Sequence, residues 1–311
     1  MDYDSEAEDC PRLILDLNGD FTLHGTLPTN LPPKFKLHEF HPKVKHPCTG
    51  ELVTVPGIFA GRPIPAPTSI SRACHLMGEG EHGVWVATKF QPPSDSSHVE
   101  LSPDEVFPLR KANATTPAAF IHRYCIRRRF VPVVSGLKTM CIYTDGACLD
   151  NGSSVTSPRA GAAFVFKDGK EGQINFALEN KGVDGQIYTH TNSRAELRAV
   201  LAALTYRTWW GEGWERIVVI TDSEYVANHA TGRLRNWAAR GWRVASGKPV
   251  ANKDLWQELS TVMGSFAKSG CEISFWAVPR RMNAKADKAA KTAAERGGGY
   301  DKYTVTSGWQ V

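Results

Sequence analysis

The sequence predicts an α/β protein built on a mixed five-stranded sheet with helices on both faces, spanning residues 138–297 and preceded by an irregular, proline-rich region. Two observations carry that expectation. Sixteen of the 19 prolines lie before residue 136, in stretches such as "TLPTNLPPKFKLHEFHPKVKHP" and "GRPIPAPTS"; proline removes a backbone donor and breaks helices and interior strands. From about residue 138 onward, apolar runs of strand length succeed one another and then alternate with segments of helical period. The chain is accordingly divided into an N-terminal region of unassigned function (1–137), partly disordered or small β, an α/β domain (138–297) and a C-terminal tail (298–311).

In the first region "RLILDLNGDFTLHG", with a turn signal at Asn18-Gly19, and "HGVWVATKF" are expected to pair as hairpins. "FIHRYCIRRRF" reads as a solvated basic linker, with a phosphate-contacting arm as the alternative. Next, "MCIYTD", "AGAAFVFKDG" and "GQINFALEN" read as three strands separated by polar or glycine-rich turns. "SRAELRAVLAALTYRTWW" reads as a helix, "RIVVITD" as a buried strand and "NKDLWQELSTVMGSFAKSG" as a helix. "CEISFWAVP" is a further strand, and "NAKADKAAKTAAERGG" a helix closed by glycines. A meander of three strands followed by strand–helix alternation gives a mixed sheet.

Composition sets the outer limits. With 311 residues and 41% hydrophobic side chains the chain can bury a sizeable core. No apolar run approaches the roughly 20 residues of a membrane helix, and the start, "MDYDSEAEDC", is acidic where a presequence would be basic. An intracellular protein with no membrane association, a monomer, is expected. Seven cysteines with no C-x-x-C pair offer neither a disulfide framework nor zinc spacing. Residues 1–135 sum to a charge of −1 and the remainder to +6, so the second part is the one to search for a polyanion partner.

Four carboxylates in that part need a reason. Alternation along "CIYTD" places Tyr143 and Asp145 on one strand face, and "VITD" ends the same way with Ile220 and Asp222. If the two strands are neighbours, their aspartates converge, and unpaired carboxylates side by side require a proton or a cation. Glu196 shares a helix face with Ala199, Val200, Ala203 and Leu204, and Asp287 lines up with Ala290 and Ala294. Singly, each aspartate could be a turn or cap residue and each helix carboxylate a solvated one. Together they form a set of hard oxygen ligands able to hold a pair of divalent ions, which suits phosphodiester hydrolysis.

The succession "YTDGA", "TNSRAELRAVLAAL", "VVITDSEYV" and "NAKADKAA" resembles type 1 ribonuclease H over roughly residues 138–297. The resemblance implies a ribonuclease H-like fold and cleavage of the RNA strand of RNA–DNA hybrids with two Mg²⁺ ions, Mn²⁺ substituting. By position, Asp145 resembles the ligand that bridges both ions. Glu196 and Asp222 resemble ligands of the ion at the leaving group, and Asp287 a ligand on the side of the attacking water. Asn192 resembles the residue that reads RNA through the minor groove, with Ser193 standing where many members have Gln. Thr191 and Asn252 resemble part of a pocket for a phosphate of the DNA strand, although Thr189 replaces the arginine that usually accompanies it. "GRLRNWAARGWRVASGKP" resembles the family's basic handle, with Arg240, Lys248, Trp237 and Trp242 as hybrid contacts; two core tryptophans on a charged helix are the alternative.

The sequence departs from the family between Pro279 and Asp287. Many members carry a flexible, histidine-containing loop there, whereas this chain has "RRMNAKA". Arg280 and Arg281 either bind the scissile or leaving phosphate or face solvent from a tighter turn. The N-terminal region stays unassigned in function, with nucleic-acid or protein contacts as its two readings. The alternative to an enzyme is a catalytically weak protein that binds RNA or RNA–DNA hybrids and retains the fold.

Overall fold

A computed structural model describes residues 67–78, 82–92, 101–107, 137–150, 157–167 and 169–308, together with five short strands before residue 137. In chain order the first elements are β1 (Arg12–Leu15), β2 (Phe21–His24), β3 (Lys43–Lys45), β4 (Leu52–Thr54), α1 (Pro67–Met77), β5 (Thr88–Lys89), α2 (Pro103–Val106) and β6 (Phe130–Val134). They are followed by β7 (Leu137–Leu149), β8 (Arg159–Val165), β9 (Gln173–Ala177), α3 (Asn192–Thr205) and β10 (Arg216–Thr221). The last are α4 (Glu224–Gly232), α5 (Leu234–Ala239), α6 (Lys253–Lys268), β11 (Glu272–Ala277) and α7 (Ala284–Arg296). Among the described residues no helix is long and apolar enough to cross a membrane.

One seven-stranded sheet organises the molecule, in the order β5-β11-β10-β7-β8-β9, with β6 also pairing β7. β10 runs parallel to both β7 and β11, while β7, β8 and β9 form an antiparallel meander. The five strands expected from the sequence form its unbroken run β11-β10-β7-β8-β9. Two more come from the proline-rich region: β5 continues the parallel edge beside β11, and β6 lies antiparallel to the start of β7. The segment "HGVWVATKF" therefore joins the sheet as a short parallel strand and is not a hairpin. A parallel neighbour needs a long crossover, which local pattern does not reveal. β1 and β2 pair antiparallel, as the sequence suggests. The arginine-rich "FIHRYCIRRRF" lies, up to Arg129, outside the described residues.

Alternation along the strands separates two cores. Met140 and Ile142 of β7, Ile217 and Val219 of β10, and Ile273 and Phe275 of β11 face α1, α3, α4 and α6. Cys141, Tyr143, Val218, Ile220 and Trp276 face the opposite side with Ala286 of α7. The boundary drawn at residue 138 is crossed on both faces. Ile70, Ala73, Cys74 and Met77 of α1 are buried in the first core. Phe90 and Phe107 pack on Trp276 in the second, with ring centroids 5.3 and 6.4 Å away. Full burial of a phenylalanine contributes about 1.5–3 kcal/mol, so the described residues 67–78, 82–92 and 101–107 are part of the folded unit. The C-terminal tail is also docked: Arg198 donates to the carbonyl of Thr304, and Lys181 pairs with Asp301.

Two glycines set how closely the helices approach the sheet. A Cβ on Gly146 would lie 2.1 Å from the backbone nitrogen of Glu196, and one on Gly161 2.4 Å from that of Ala294. No real Cβ tolerates such contacts, so glycine lets α3 and α7 pack directly on β7 and β8. The alanine face of α7 completes the fit, with Ala286, Ala290 and Ala294 fully buried.

Candidate active site

Register delivers the first two carboxylates. Ile220 of β10 lies opposite Tyr143 of β7, so Asp222 and Asp145, each two residues on, stand side by side where β10 ends; Asp145 does not end its own strand, as the sequence suggested, because β7 runs on to Leu149 in its pairing with β8. Close packing at Gly146 brings the start of α3, and with it Glu196, over the same point. α7 begins beside it, and its first turn carries Asp287. All four sequence-derived carboxylates therefore meet at one end of the central strands.

Their environments differ. Asp145 is 3% exposed, and its Oδ2 has no hydrogen-bond partner. Burial, then the nearby Asp222 and Asp287, pushes its carboxyl up to about 8. Glu196 is also raised, chiefly by burial, against a hydrogen bond from the Ser223 hydroxyl to Oε2 at 2.6 Å; Asn192 donates to Oε1 at 2.7 Å. At Asp287 burial acts upward, but hydrogen bonds from Lys291 and Arg280 outweigh it and hold the carboxyl below its ordinary value. Asp222 accepts from the Asn283 amide at 2.8 Å, and the same amide donates to the Thr144 carbonyl at 3.0 Å.

As the side chains stand, no group of three or more His, Cys, Asp or Glu among the described residues is arranged to enclose a metal ion. Arg280 is inserted between two of the carboxylates, bonded to Asp287 and 3.9 Å from Asp222. The donor set nevertheless fits divalent cations: all the ligands are hard oxygens. A buried carboxylate oxygen with no donor, beside two further carboxylates, is stabilised by such a charge.

The other sequence-derived residues divide into groups. Asn192 is exposed beside Glu196, and Ser193 follows it in the first turn of α3. Thr191 caps α3, its hydroxyl accepting from the backbone of Arg194. Asn252 sits in the left-handed region at φ 56°, before α6, and accepts from Arg194 Nη1 at 3.3 Å. The buried Arg194 forms two hydrogen bonds with Asp254, at 3.0 and 2.8 Å, and so joins the Thr191 turn to the Asn252 turn. Arg240 and Lys248 are exposed, and Trp242 is half-buried against the first core.

Trp237 is a correction. It is 8% exposed, stacked on His229 at 4.8 Å and edge-on to Trp256 at 5.6 Å. It belongs to the core, because α5 turns its apolar stripe inward and leaves its charged face to solvent. "RRMNAKA" is a single tight turn, Arg280–Met282, leading into α7. Arg280 reaches the carboxylates, whereas Arg281 lines a cavity of about 310 Å³ with Tyr143, Lys167 and Lys285.

Sequence reasoning missed Asn283, which is 1% exposed and ties Thr144 of β7 to Asp222. Its place one helical turn before Asp287 in "NAKAD" was the available signal. It also missed the hold of Ser223 on Glu196, since a helix-capping serine predicts only its local bond to Val226.

The sequence model of the RNase H family matches residues 137–295. A ribonuclease H of Treponema pallidum is 37% identical over 128 residues, covering 40% of this chain and 72% of the relative. One of Roseobacter denitrificans is 41% identical over 120 residues, covering 38% and 70%. Among solved structures, LC9-RNase H1, described as a type 1 RNase H with the type 2 active-site motif, is 25% identical. The match covers 56% of this chain and 80% of that one, with a TM-score of 0.39. A family match over half of the sequence, with its four carboxylates drawn to one point, makes this chain a member of the type 1 ribonuclease H family through its C-terminal half.

Proposed function

We propose that the protein hydrolyses the RNA strand of RNA–DNA hybrids, leaving a 5′-phosphate and a 3′-hydroxyl, with two Mg²⁺ ions held by Asp145, Glu196, Asp222 and Asp287. The observation that carries this reading is the orphaned, buried Oδ2 of Asp145 in the middle of the carboxylate cluster. When bound, such a pair of ions supplies an activated water on one side of the phosphate and charge stabilisation of the leaving oxygen on the other.

The chain's own residues do the positioning. Asp145 feels the charges of both Asp222 and Asp287 and would be the ligand shared by the two ions. Asn283 fixes the orientation of Asp222, and Ser223 with Asn192 fixes Glu196. The exposed Asn192 would meet 2′-hydroxyls beside the cleaved bond, the group by which a protein distinguishes RNA from DNA. Arg194 sets the carbonyl end of the Asn252 amide inward, which leaves the amide's N–H groups for a phosphate of the DNA strand. Arg240 and Lys248 extend the cationic surface along the duplex.

The test is a strand-labelled hybrid with Mg²⁺, run beside single-stranded RNA, double-stranded RNA and an Asp222→Asn variant. Cleavage confined to the RNA strand of the hybrid, reduced by several orders of magnitude in the variant with hybrid binding kept, is expected. Undiminished cleavage by Asp222→Asn would refute the assignment. Tight hybrid binding without turnover in either Mg²⁺ or Mn²⁺ would instead favour a reader of hybrids.

A further inference from the structure

We propose that Arg280 is a built-in counter-ion of the site: in the ion-free protein its guanidinium occupies the place of a cation beside Asp287 and Asp222, and a divalent ion must displace it. This rests on the reading that the four carboxylates take divalent ions.

The contacts are asymmetric. Both oxygens of Asp287 are engaged, Oδ1 by Arg280 Nη2 and Oδ2 by Lys291 Nζ at 2.8 Å. Asp222 has Arg280 Nε 3.9 Å from Oδ2 and the Asn283 amide on Oδ1. Asp145 keeps one oxygen without a partner. Asp145 therefore offers an unengaged oxygen to an ion, while both oxygens of Asp287 stay engaged until a cationic side chain leaves.

The charge of Arg280 is also felt by Asp145 and Glu196, so it acts on the whole cluster. Its side chain is 60% exposed and springs from the tight turn after Pro279. Release into solvent then costs little packing, as a displaceable counter-ion requires. An ion that needs Asp287 binds more weakly than the ligand set alone would dictate, and the freed guanidinium points from the site toward any phosphate that enters. The short "RRMNAKA" link makes this reach possible, because Arg280 stands only seven residues before Asp287 and within the same turn–helix unit.

The test is calorimetric titration of the full chain with Mg²⁺, and separately Mn²⁺, at fixed ionic strength, for wild type, Arg280→Ala and Arg280→Lys. Arg280→Ala is expected to tighten the weaker binding step about fivefold, the scale of a solvent-exposed ion pair. Arg280→Lys, which keeps the charge, should stay near wild type. Melting temperatures supply the second readout. Without ions Arg280→Ala should melt below wild type, because repulsion among the carboxylates goes unrelieved; at saturating Mg²⁺ the deficit should vanish. A merely structural ion pair would lower the melting temperature under both conditions and leave ion affinity unchanged, and that result overturns the inference while the metal site stands. Failure of every form to bind either ion would overturn the metal reading and the inference together.

Discussion

Asp145 offers the sharpest quantitative test of the site. Its carboxyl titrates at about 8 in the fold against 3.8 for the free group, so the folded state holds the proton more tightly than the unfolded chain does. The sign follows. The contribution to stability is fully present below pH 3.8 and is lost as pH rises toward 8. At about 1.36 kcal/mol per pKa unit, the penalty reaches roughly 4 kcal/mol at pH 7 and levels off above pH 8. Relaxation of the surroundings and entry of water reduce this to about half. Asp145→Asn removes the titration while keeping the shape. In chelator, the variant should match wild type near pH 4 and exceed it by about 2–4 kcal/mol at pH 8, read from urea denaturation between pH 4 and 8.5. Because Asp222 contributes to the upward shift, an Asp222→Asn background should flatten the dependence. Saturating Mg²⁺ should reverse the order, since an ion favours the ionised carboxylate. A stability difference that stays constant with pH would show that the cluster imposes no such strain.

Two further substitutions probe the frame around the site. Gly146→Ala places a methyl group against the backbone of Ala195 and Glu196; α3 must move, so both melting temperature and cleavage rate should fall, the rate by at least tenfold, and unaltered kinetics would refute the close-packing argument. Phe107→Ala removes a fully buried ring from the contact with Phe90 and Trp276 and should cost about 3–5 kcal/mol in denaturant titration, whereas a loss within 0.5 kcal/mol would mean that the N-terminal segment lies outside the folding unit.

How much of this was legible in the sequence depended on the range of the interaction. The carboxylates were readable because each is encoded locally: an aspartate after an alternating apolar run, although β7 continues past Asp145 to Leu149, or a carboxylate on the apolar stripe of a helix. Their convergence needed only that β7 and β10 be neighbours. The β5 strand was not readable, because two residues of parallel pairing with β11 lie 186 positions apart in the register Thr88–Ser274, and nothing in "HGVWVATKF" encodes such a partner. α1 was hidden by the prolines around it, since Pro67 is tolerated at a helix start.

Trp237 shows where residue type misleads. A tryptophan among arginines satisfies two templates, a stacking platform for bases and an anchor for an amphipathic helix, and only the position of α6 decides between them. Arg280 is the opposite case. From sequence alone it was a cation with two indistinct roles; its position relative to Asp287 now ties those roles together. A side chain that neutralises the carboxylates in the ion-free protein and is released toward the phosphate when ions bind makes metal loading and substrate binding assist each other, and by reciprocity hybrid binding must tighten ion binding by the same factor. In Arg280→Ala that coupling should shrink even as the ion affinity of the substrate-free protein rises, a pair of opposite changes that neither a solvent-facing arginine nor a simple phosphate contact produces.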